Sequence, residues 1–326
     1  MKTRNFGRTA FNVSEIGLGC WQFGGDFGPM NRDTAFNIMQ SSVENGITFF
    51  DTADVYGAGR SESLIGEFFS SQHARPVLVT KFGRGGDVYP DKYTRDNLRR
   101  GLDASLQRLG VESLDLVQLH CIPTEVLRRG DIFDWLRQAR EEGLIRYFGA
   151  SVETDEQAAV CLEQPDLSSL QIIFNIFRQK PLRETLPRAR DQGVAIIVRL
   201  PLASGLLSGR FSADTQFAKT DHRNYNRDGQ AFSVGETFAG LPLAKGVELV
   251  EELKGLLPEG FDLVDLALRW ILDHDAVSVI IPGASSPQQV AKNAAASELP
   301  ALDPELHAQL ARFYEEKVAP HIRGAY

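Results

Sequence analysis

Short apolar runs alternate along the chain with longer segments in which apolar residues recur every three to four positions. Runs rich in β-branched and aromatic residues are typical of strands, and the wider spacing is typical of helices. The helix pattern is clearest after Thr94 and Thr154, since a threonine directly before such a segment caps a helix. The predicted strands are VSEIGLG, ITFFD, VLVTK, LDLVQLH, YFGAS, LQIIFN, VAIIVRL and VSVIIPG.

This order of elements predicts the fold. Strands separated by helices form a parallel sheet, and eight such units without a doubly wound nucleotide fingerprint favour closure into a (β/α)8 barrel. We expect one domain over residues 1–326. The segment from Lys2 to Val13, with a turn at residues 6–9, is predicted to form a β-hairpin that plugs the barrel floor.

The alternation breaks once, between the seventh and the eighth predicted strand. About eighty residues separate these strands, and residues 211–243 have little periodicity but many polar, glycine and aromatic residues. A long loop after the carboxyl end of a barrel strand lies at the mouth, so we expect a lid. The alternative is a mobile surface loop without a role.

The composition limits the classes of protein that remain. A hydrophobic fraction of 43% and a charged fraction of 24% suit a globular protein with a large core. The net charge of -8, with scattered basic residues, argues against a nucleic-acid or anionic-membrane surface. The start of the chain has no apolar signal core, and no stretch approaches the roughly 18 apolar residues of a membrane span, so we expect a cytoplasmic protein.

Neither the cysteines nor the histidines predict a metal site. Cys20, Cys121 and Cys161 are far apart and form no CxxC pair, so neither a disulfide framework nor a thiolate zinc site is expected. No HExxH or other ligand spacing occurs among the six histidines, which are His73, His120, His222, His274, His307 and His321.

Ionisable residues stand at the ends of three predicted strands. Asp51 follows ITFF, Lys81 follows VLVT, His120 follows LDLVQL, and Tyr56 stands five positions beyond Asp51. Each alone reads as an ordinary loop residue. Because the carboxyl ends of barrel strands converge on one face, the four together predict an active site.

Six segments resemble one known family across nearly the whole chain. They are GLGCWQFGG, FFDTADVYGAGRSE, VTKFG, DLVQLH, PLASGLLSGR and IPGASSPQQVAKN. Together they resemble the aldo-keto reductase superfamily, and most closely its bacterial branch, which also resembles potassium-channel β-subunits. The resemblance implies a (β/α)8 barrel, a nicotinamide cofactor bound without a Rossmann fold, and a catalytic tetrad of Asp51, Tyr56, Lys81 and His120.

The chemistry of carbonyl reduction explains why these four residue types are needed. Hydride delivery leaves charge on the carbonyl oxygen, so a proton donor is required, and Tyr56 is the expected donor. Lys81 is expected to lower the pKa of Tyr56, and Asp51 to keep Lys81 charged and oriented. His120 is expected to orient the substrate oxygen. The alternative, an Asp51–Lys81 ion pair at the rim, leaves the neighbouring phenol and imidazole unexplained.

The resemblance also implies contacts to the nicotinamide end of the cofactor. Ser151 and Gln171 match the residues that meet the carboxamide, whereas Val152 stands where an asparagine often follows the serine. Arg199 stands where many members have a tyrosine or tryptophan stacked on the ring. A guanidinium can stack there too, or it can meet an anionic substrate.

Two further segments resemble the phosphate-binding parts of the family. A pyrophosphate strap is expected at Pro201, Leu202, Ala203, Ser204, Gly205, Leu206, Ser208, Gly209 and Arg210. The adenosine 2′-phosphate region is expected at Gly283, Ser285, Gln289, Lys292 and Asn293, with Lys292 where an acidic residue is commoner. Ser285, Ser286 and Lys292 would hold the phosphate, which favours NADP(H) and leaves NAD(H) possible.

Three functions fit this pattern. The first is an NADP(H)-dependent oxidoreductase that interconverts small aldehydes or ketones with alcohols, with Trp21, Phe23 and Tyr225 at the substrate pocket and Trp21 also near the cofactor. The second is a cofactor-bound regulatory or sensor subunit with little turnover, against which His120 argues because the channel subunits have asparagine at the matching position. The third is a lyase or isomerase without nicotinamide, which leaves the strap unexplained.

Overall fold

The computed structural model, which describes residues 1–72 and 74–326, contains the eight parallel strands that the apolar runs predict. His73, one of the histidines considered as metal ligands, lies outside the described residues. The hairpin strands are β1 Thr3–Asn5 and β2 Asn12–Ser14, and the eight parallel strands are β3 Leu18–Gly19, β4 Phe49–Asp51, β5 Val77–Phe82, β6 Leu114–His120, β7 Ile145–Ser151, β8 Ser169–Ile173, β9 Ala195–Arg199 and β10 Val277–Ile280.

Helices follow most of these strands. They are α1 Arg32–Glu44, α2 Arg60–Phe69, α3 Arg95–Leu109, α4 Thr124–Arg129, α5 Asp131–Glu141, α6 Asp155–Cys161, α7 Thr185–Asp191, α8 His222–Tyr225, α9 Leu243–Lys254, α10 Leu263–Leu272, α11 Pro287–Ala295 and α12 Pro304–Phe313. Thr94 and Thr154 cap α3 and α6 as predicted, each accepting a hydrogen bond from a backbone N–H in the first turn. None of the helices in the described ranges combines the length and the apolar character needed to cross a bilayer.

The sheet runs in chain order from β3 to β10 and then closes on itself. The backbone N–H of Gly17 donates to the carbonyl of Ile280 at 2.7 Å, and that of Gly19 donates to Pro282 at 3.1 Å. These bonds join the first barrel strand to the last. The predicted (β/α)8 barrel is therefore confirmed, and the carboxyl ends of its strands surround one mouth.

The N-terminal hairpin covers the opposite end of the barrel. Its strands β1 and β2 pair antiparallel, as predicted. Phe6 and Val13 of the hairpin are fully buried and share one apolar cluster with barrel residues such as Phe49, Leu116 and Ile197. Because these side chains fill the end of the barrel opposite the mouth, a ligand would reach the barrel centre through the mouth.

The long connection between β9 and β10 crosses that mouth. Its first part, residues 211–243, is largely irregular as predicted, with the four-residue helix α8 and two short 3-10 turns, and the regular helices α9 and α10 follow. The backbone N–H of His222 donates to the carbonyl of Asp26 at 2.9 Å, and the Tyr225 hydroxyl donates to the Asp26 carboxylate at 2.8 Å. These bonds tie the connection to the loop after β3, on the other side of the opening.

Candidate active site

The four predicted catalytic side chains meet at the mouth of the barrel. The Lys81 Nζ atom lies 2.5 Å from Asp51 Oδ1 and 3.2 Å from the Tyr56 hydroxyl. It also donates to the carbonyl of Thr52 at 2.8 Å. The His120 ring stands edge-on to the Tyr56 ring, with centroids 5.8 Å apart. One ammonium therefore connects a carboxylate to a phenol, and an imidazole lies beside that phenol.

Burial dominates the electrostatics of this group. It lowers the pKa of Lys81, but Asp51 and Tyr56 outweigh that effect, so the pKa ends above its ordinary value and the ammonium is retained. Burial also raises the pKa of Asp51, an effect that Lys81 partly offsets. The pKa of His120 lies well below its ordinary value because the ring is buried and faces Arg84 and Lys81, so the imidazole is neutral.

Tyr56 differs from the expectation. Lys81 does favour the phenolate, but burial is the larger effect and raises the pKa of Tyr56 to about 12. The phenol is therefore fully protonated at neutral pH in this structure.

A cavity of about 600 Å³ extends from the tetrad along the mouth. Most of the predicted site residues lie on its wall, namely Trp21, Asp51, Tyr56, His120, Gln171, Arg199, Pro201, Leu202, Ser204, Gly205, Ser208, Arg210, Tyr225, Gly283, Ser285, Gln289, Lys292 and Asn293. Lys81 and Ser151 are buried directly behind this wall. Cavities of this size commonly hold small-molecule ligands.

Besides Lys81 and Ser151, five predicted contact residues are not on the cavity wall, namely Phe23, Ala203, Leu206, Gly209 and Ser286. Phe23 is fully buried in the main core, because the single turn Trp21–Gly24 presents Trp21 to the cavity and Phe23 to the interior. Ala203 and Leu206 in the strap segment are also core residues. They anchor a turn in which Ser204 and Gly205 have positive φ angles of 58° and 91°, and both of these residues are on the cavity wall.

Ser151 and Gln171 form a relay behind the tetrad. The Ser151 hydroxyl donates to Gln171 Oε1 at 3.4 Å, and Gln171 Nε2 donates to Asp51 Oδ2 at 2.7 Å. The second carboxylate oxygen of Asp51 is therefore also satisfied, which fixes the orientation of the group that holds Lys81.

A sequence model described as the Aldo/keto reductase family matches residues 15–315. The chain belongs to the aldo/keto reductase family. As a member of that family it is an oxidoreductase. A protein of Escherichia coli strain K12, named NADH-specific methylglyoxal reductase, is 28% identical and covers 91% of this chain and 93% of its own length. A probable voltage-gated potassium channel subunit beta of Oryza sativa subsp. japonica is 29% identical and covers 94% of each chain.

Solved structures of other aldo-keto reductases share the fold of this family member. The holo form of an aldo-keto reductase from Bacillus halodurans has a TM-score of 0.79 at 26% identity, covering 100% of this chain and 98% of that one. An aldo-keto reductase from Klebsiella pneumoniae in complex with NADPH has a TM-score of 0.69 at 24% identity, covering 96% and 95%.

This aldo/keto reductase also has a buried network of charges at its mouth that the sequence did not predict. Arg84 contacts Glu236 at 3.0 Å and Glu153 at 3.3 Å, and Arg199 lies 3.5 Å from Glu236. Arg199 further donates to the carbonyl of Val152 at 3.2 Å. The sequence signal for this network is that Arg84 follows Lys81 by three positions and Glu153 follows Ser151 by two, so both stand just after strand ends at the mouth.

The same network bears on metal binding in this reductase. Cys121, Glu153 and Glu236 have ligand atoms within 4.8 Å of one another. However, the Arg84 and Arg199 guanidinium groups already compensate these carboxylates, and a divalent cation would lie against two positive charges. The donor set does not favour a metal.

Proposed function

We propose that the chain is an NADP(H)-dependent oxidoreductase that interconverts small aldehydes or ketones with alcohols, with Tyr56 as general acid and base. One observation carries this proposal: the Lys81 ammonium contacts both the Asp51 carboxylate and the Tyr56 hydroxyl at the wall of the cavity. The barrel as a single domain over residues 1–326 and a cytoplasmic location are part of the proposal.

The residues at the cavity suit a nicotinamide cofactor. His120 Nδ1 and Arg199 Nε are buried polar atoms with no hydrogen-bond partner within the described residues, and both side chains are on the cavity wall. Such atoms are rare in proteins unless a ligand or water completes them. When bound, the cofactor supplies the hydride. Ser151 and Gln171 would lie behind its carboxamide, and the strap would lie along its phosphates.

The protein then controls the proton. Tyr56 holds its proton at neutral pH, since its pKa is about 12, and donates it as charge develops on the carbonyl oxygen. Lys81 stabilises the phenolate that remains, and Asp51 keeps Lys81 charged at a site that is shielded from water. His120 is neutral, so it offers the substrate oxygen a hydrogen bond without adding a charge.

Both forms of the cofactor occur among the proteins similar to this chain. One relative is named as NADH-specific, and one solved structure contains NADPH. We propose NADP(H) as the preferred form because Lys292 and Ser285, just before α11, line the cavity end that the resemblance assigns to the 2′-phosphate, and NAD(H) as a usable alternative.

A second function is a cofactor-bound regulatory subunit with little turnover. The similarity to a probable potassium channel subunit beta favours it. The retained imidazole at His120 argues for turnover instead, since it stands beside the phenol as a group that can orient a substrate.

A substrate screen separates these functions. The full-length protein is mixed with NADPH, or in parallel with NADH, and the loss of reduced-cofactor absorbance is followed for a panel of aldehydes, sugars and ketones. We expect multiple turnovers with at least one class of small carbonyl compound. Binding of cofactor without turnover across the whole panel would favour the regulatory subunit.

A further inference from the structure

At the end of the cavity that the resemblance assigns to the 2′-phosphate, Lys292 already forms ion pairs. Lys292 Nζ lies 3.0 Å from Asp262 Oδ2 and 2.6 Å from Asp265 Oδ1. Both aspartates are outside the family-like segments from which the 2′-phosphate region was predicted. The only lysine of that region therefore has two carboxylate partners.

The two carboxylates are held in place by helix capping. The Asp262 side chain accepts a hydrogen bond from the backbone N–H of Asp265 at 2.9 Å, and the Asp265 side chain accepts one from the backbone N–H of Asp262 at 3.2 Å. This reciprocal capping box fixes both groups at the start of α10. Lys292 on α11 is thus drawn toward a fixed pair of negative charges.

The pKa values of Asp262 and Lys292 are both shifted in favour of their charged forms. Burial opposes the ionisation of Asp262, but the Asp265 backbone N–H and Lys292 outweigh it, and the pKa of Asp262 is lowered. Burial likewise opposes the charge on Lys292, but Asp265 and Asp262 outweigh it, and the pKa of Lys292 is raised. The triad carries a net charge of about -1, so it does not attract an anion as a free lysine would.

The donors of Ser285 are also occupied. The backbone N–H and the hydroxyl of Ser285 both donate to Gln289 Oε1, at 2.8 Å and 3.1 Å. A phosphomonoester carries about -1.5 to -2 charges at neutral pH. To bind here it would have to compete with two carboxylates for Lys292 and with Gln289 for Ser285.

We propose that Asp262 and Asp265 are specificity-determining residues, which by holding Lys292 reduce the preference of this chain for a cofactor with a 2′-phosphate over one with a free 2′-hydroxyl. This inference rests on the proposed nicotinamide function. It concerns only the 2′ position, which is the sole difference between the two cofactors, so binding of the nicotinamide and pyrophosphate parts is unaffected.

The test compares NADPH and NADH binding by titration calorimetry, without any carbonyl substrate. The variant is Asp262→Asn with Asp265→Asn, because asparagine keeps an oxygen acceptor for each cap while it removes the charge. We expect NADPH to bind this variant about three- to tenfold more tightly than it binds the wild type, a change that the loss of two partly exposed ion pairs allows. The affinity for NADH should be unchanged. If this variant does not fold, Asp262→Asn alone should show a smaller change in the same direction, since Asp262 is the more exposed of the two.

A control must remove the same charge elsewhere. Glu248 and Glu251 on α9 form exposed pairs with Lys245 and Lys254. Glu248→Gln with Glu251→Gln changes the net charge equally and should leave both affinities unchanged.

A double-mutant cycle with Lys292→Met tests whether Asp262 and Asp265 act by pairing with Lys292. Lys292→Met should cost little NADPH affinity in the wild type, where the ammonium is paired, and several-fold more in the double-asparagine variant. An unchanged ratio of NADPH to NADH affinity in the double-asparagine variant, or an equal gain for both cofactors, would overturn the inference. If neither cofactor bound to the wild type, the nicotinamide function itself would fail, and the inference with it.

Discussion

Replacing Asp51 by asparagine should strongly destabilise the protein and should make its stability depend on pH in a new way. Asp51 and Lys81 are 3% and 1% exposed, and their charged atoms are 2.5 Å apart. At an effective dielectric constant of about 20, a pair at this separation interacts by about 6 to 7 kcal/mol. The carbonyl of Thr52 and the Tyr56 hydroxyl remain as partners of Lys81 in the variant and recover part of this energy. We therefore expect a loss of about 3 to 5 kcal/mol in the free energy of unfolding at pH 7.

The direction of the pH effect follows from Lys81. In the wild type its folded pKa is raised, so its contribution to stability is complete below the ordinary lysine pKa of about 10.4 and is lost only at higher pH. Without Asp51, burial would dominate and lower the folded pKa. The unfolded chain then binds more protons than the folded one, so the stability of the variant should rise from pH 7 toward pH 10.

Urea unfolding at several pH values measures both effects. Asp103→Asn is the matched control, since Asp103 pairs with Arg99 at 3.0 Å but both side chains are about half exposed. That change should cost no more than about 0.5 kcal/mol. A loss of less than about 1 kcal/mol for Asp51→Asn, together with no added slope between pH 7 and pH 10, would refute the account of the buried pair.

Three further predictions concern the lid, Arg199 and the buried histidines. Residues 211–243 should gain protection from hydrogen exchange when cofactor is added, and equal protection with and without cofactor would count against a lid. Arg199→Ala should weaken the binding of both cofactor redox states and shift the ratio of their affinities about two- to threefold toward the oxidised form, because Arg199 would repel the positively charged oxidised ring. Titration with both forms checks this, and unchanged affinities would rule out stacking of Arg199 on the nicotinamide. The pKa of His120 lies well below its ordinary value, and burial lowers those of His222 and His274 to about 4. Since these histidines become charged only in the unfolded chain, the free energy of unfolding should fall as the pH drops below about 6.5, and His120→Gln should reduce that fall. If urea unfolding gave the same dependence of this free energy on pH for both proteins, a buried neutral His120 would be contradicted.

The fold and the tetrad follow from the sequence because both depend on local signals. The apolar runs mark the strands, and the strand ends place Asp51, Lys81 and His120 around one opening. Barrel closure depends on contacts between the first and the last strand, but eight strand-helix units can form few other arrangements.

The parts that the sequence did not predict depend on contacts between distant segments. Glu236 stands in an aperiodic stretch and reads as a surface residue, yet it is buried against Arg84 and Arg199 from two different strand ends. Lys292 reads as a free cation, but its carboxylate partners come from α10, about thirty residues earlier. The pKa of Tyr56 also depends on the depth of burial, which the spacing of residues does not give.

The most direct test of the proposed function is the turnover of Tyr56→Phe with a carbonyl substrate found in the screen. The substitution removes the proton donor and little else, so kcat should fall by about a hundredfold or more while the Kd of the reduced cofactor, measured separately, stays close to the wild-type value. Tyr147→Phe is the matched control, because the Tyr147 hydroxyl accepts a hydrogen bond from Ala10 at the hairpin, away from the mouth, and its loss should leave kcat unchanged. If Tyr56→Phe retained more than about a tenth of the wild-type kcat, Tyr56 would not be the proton donor and the proposed mechanism would be wrong.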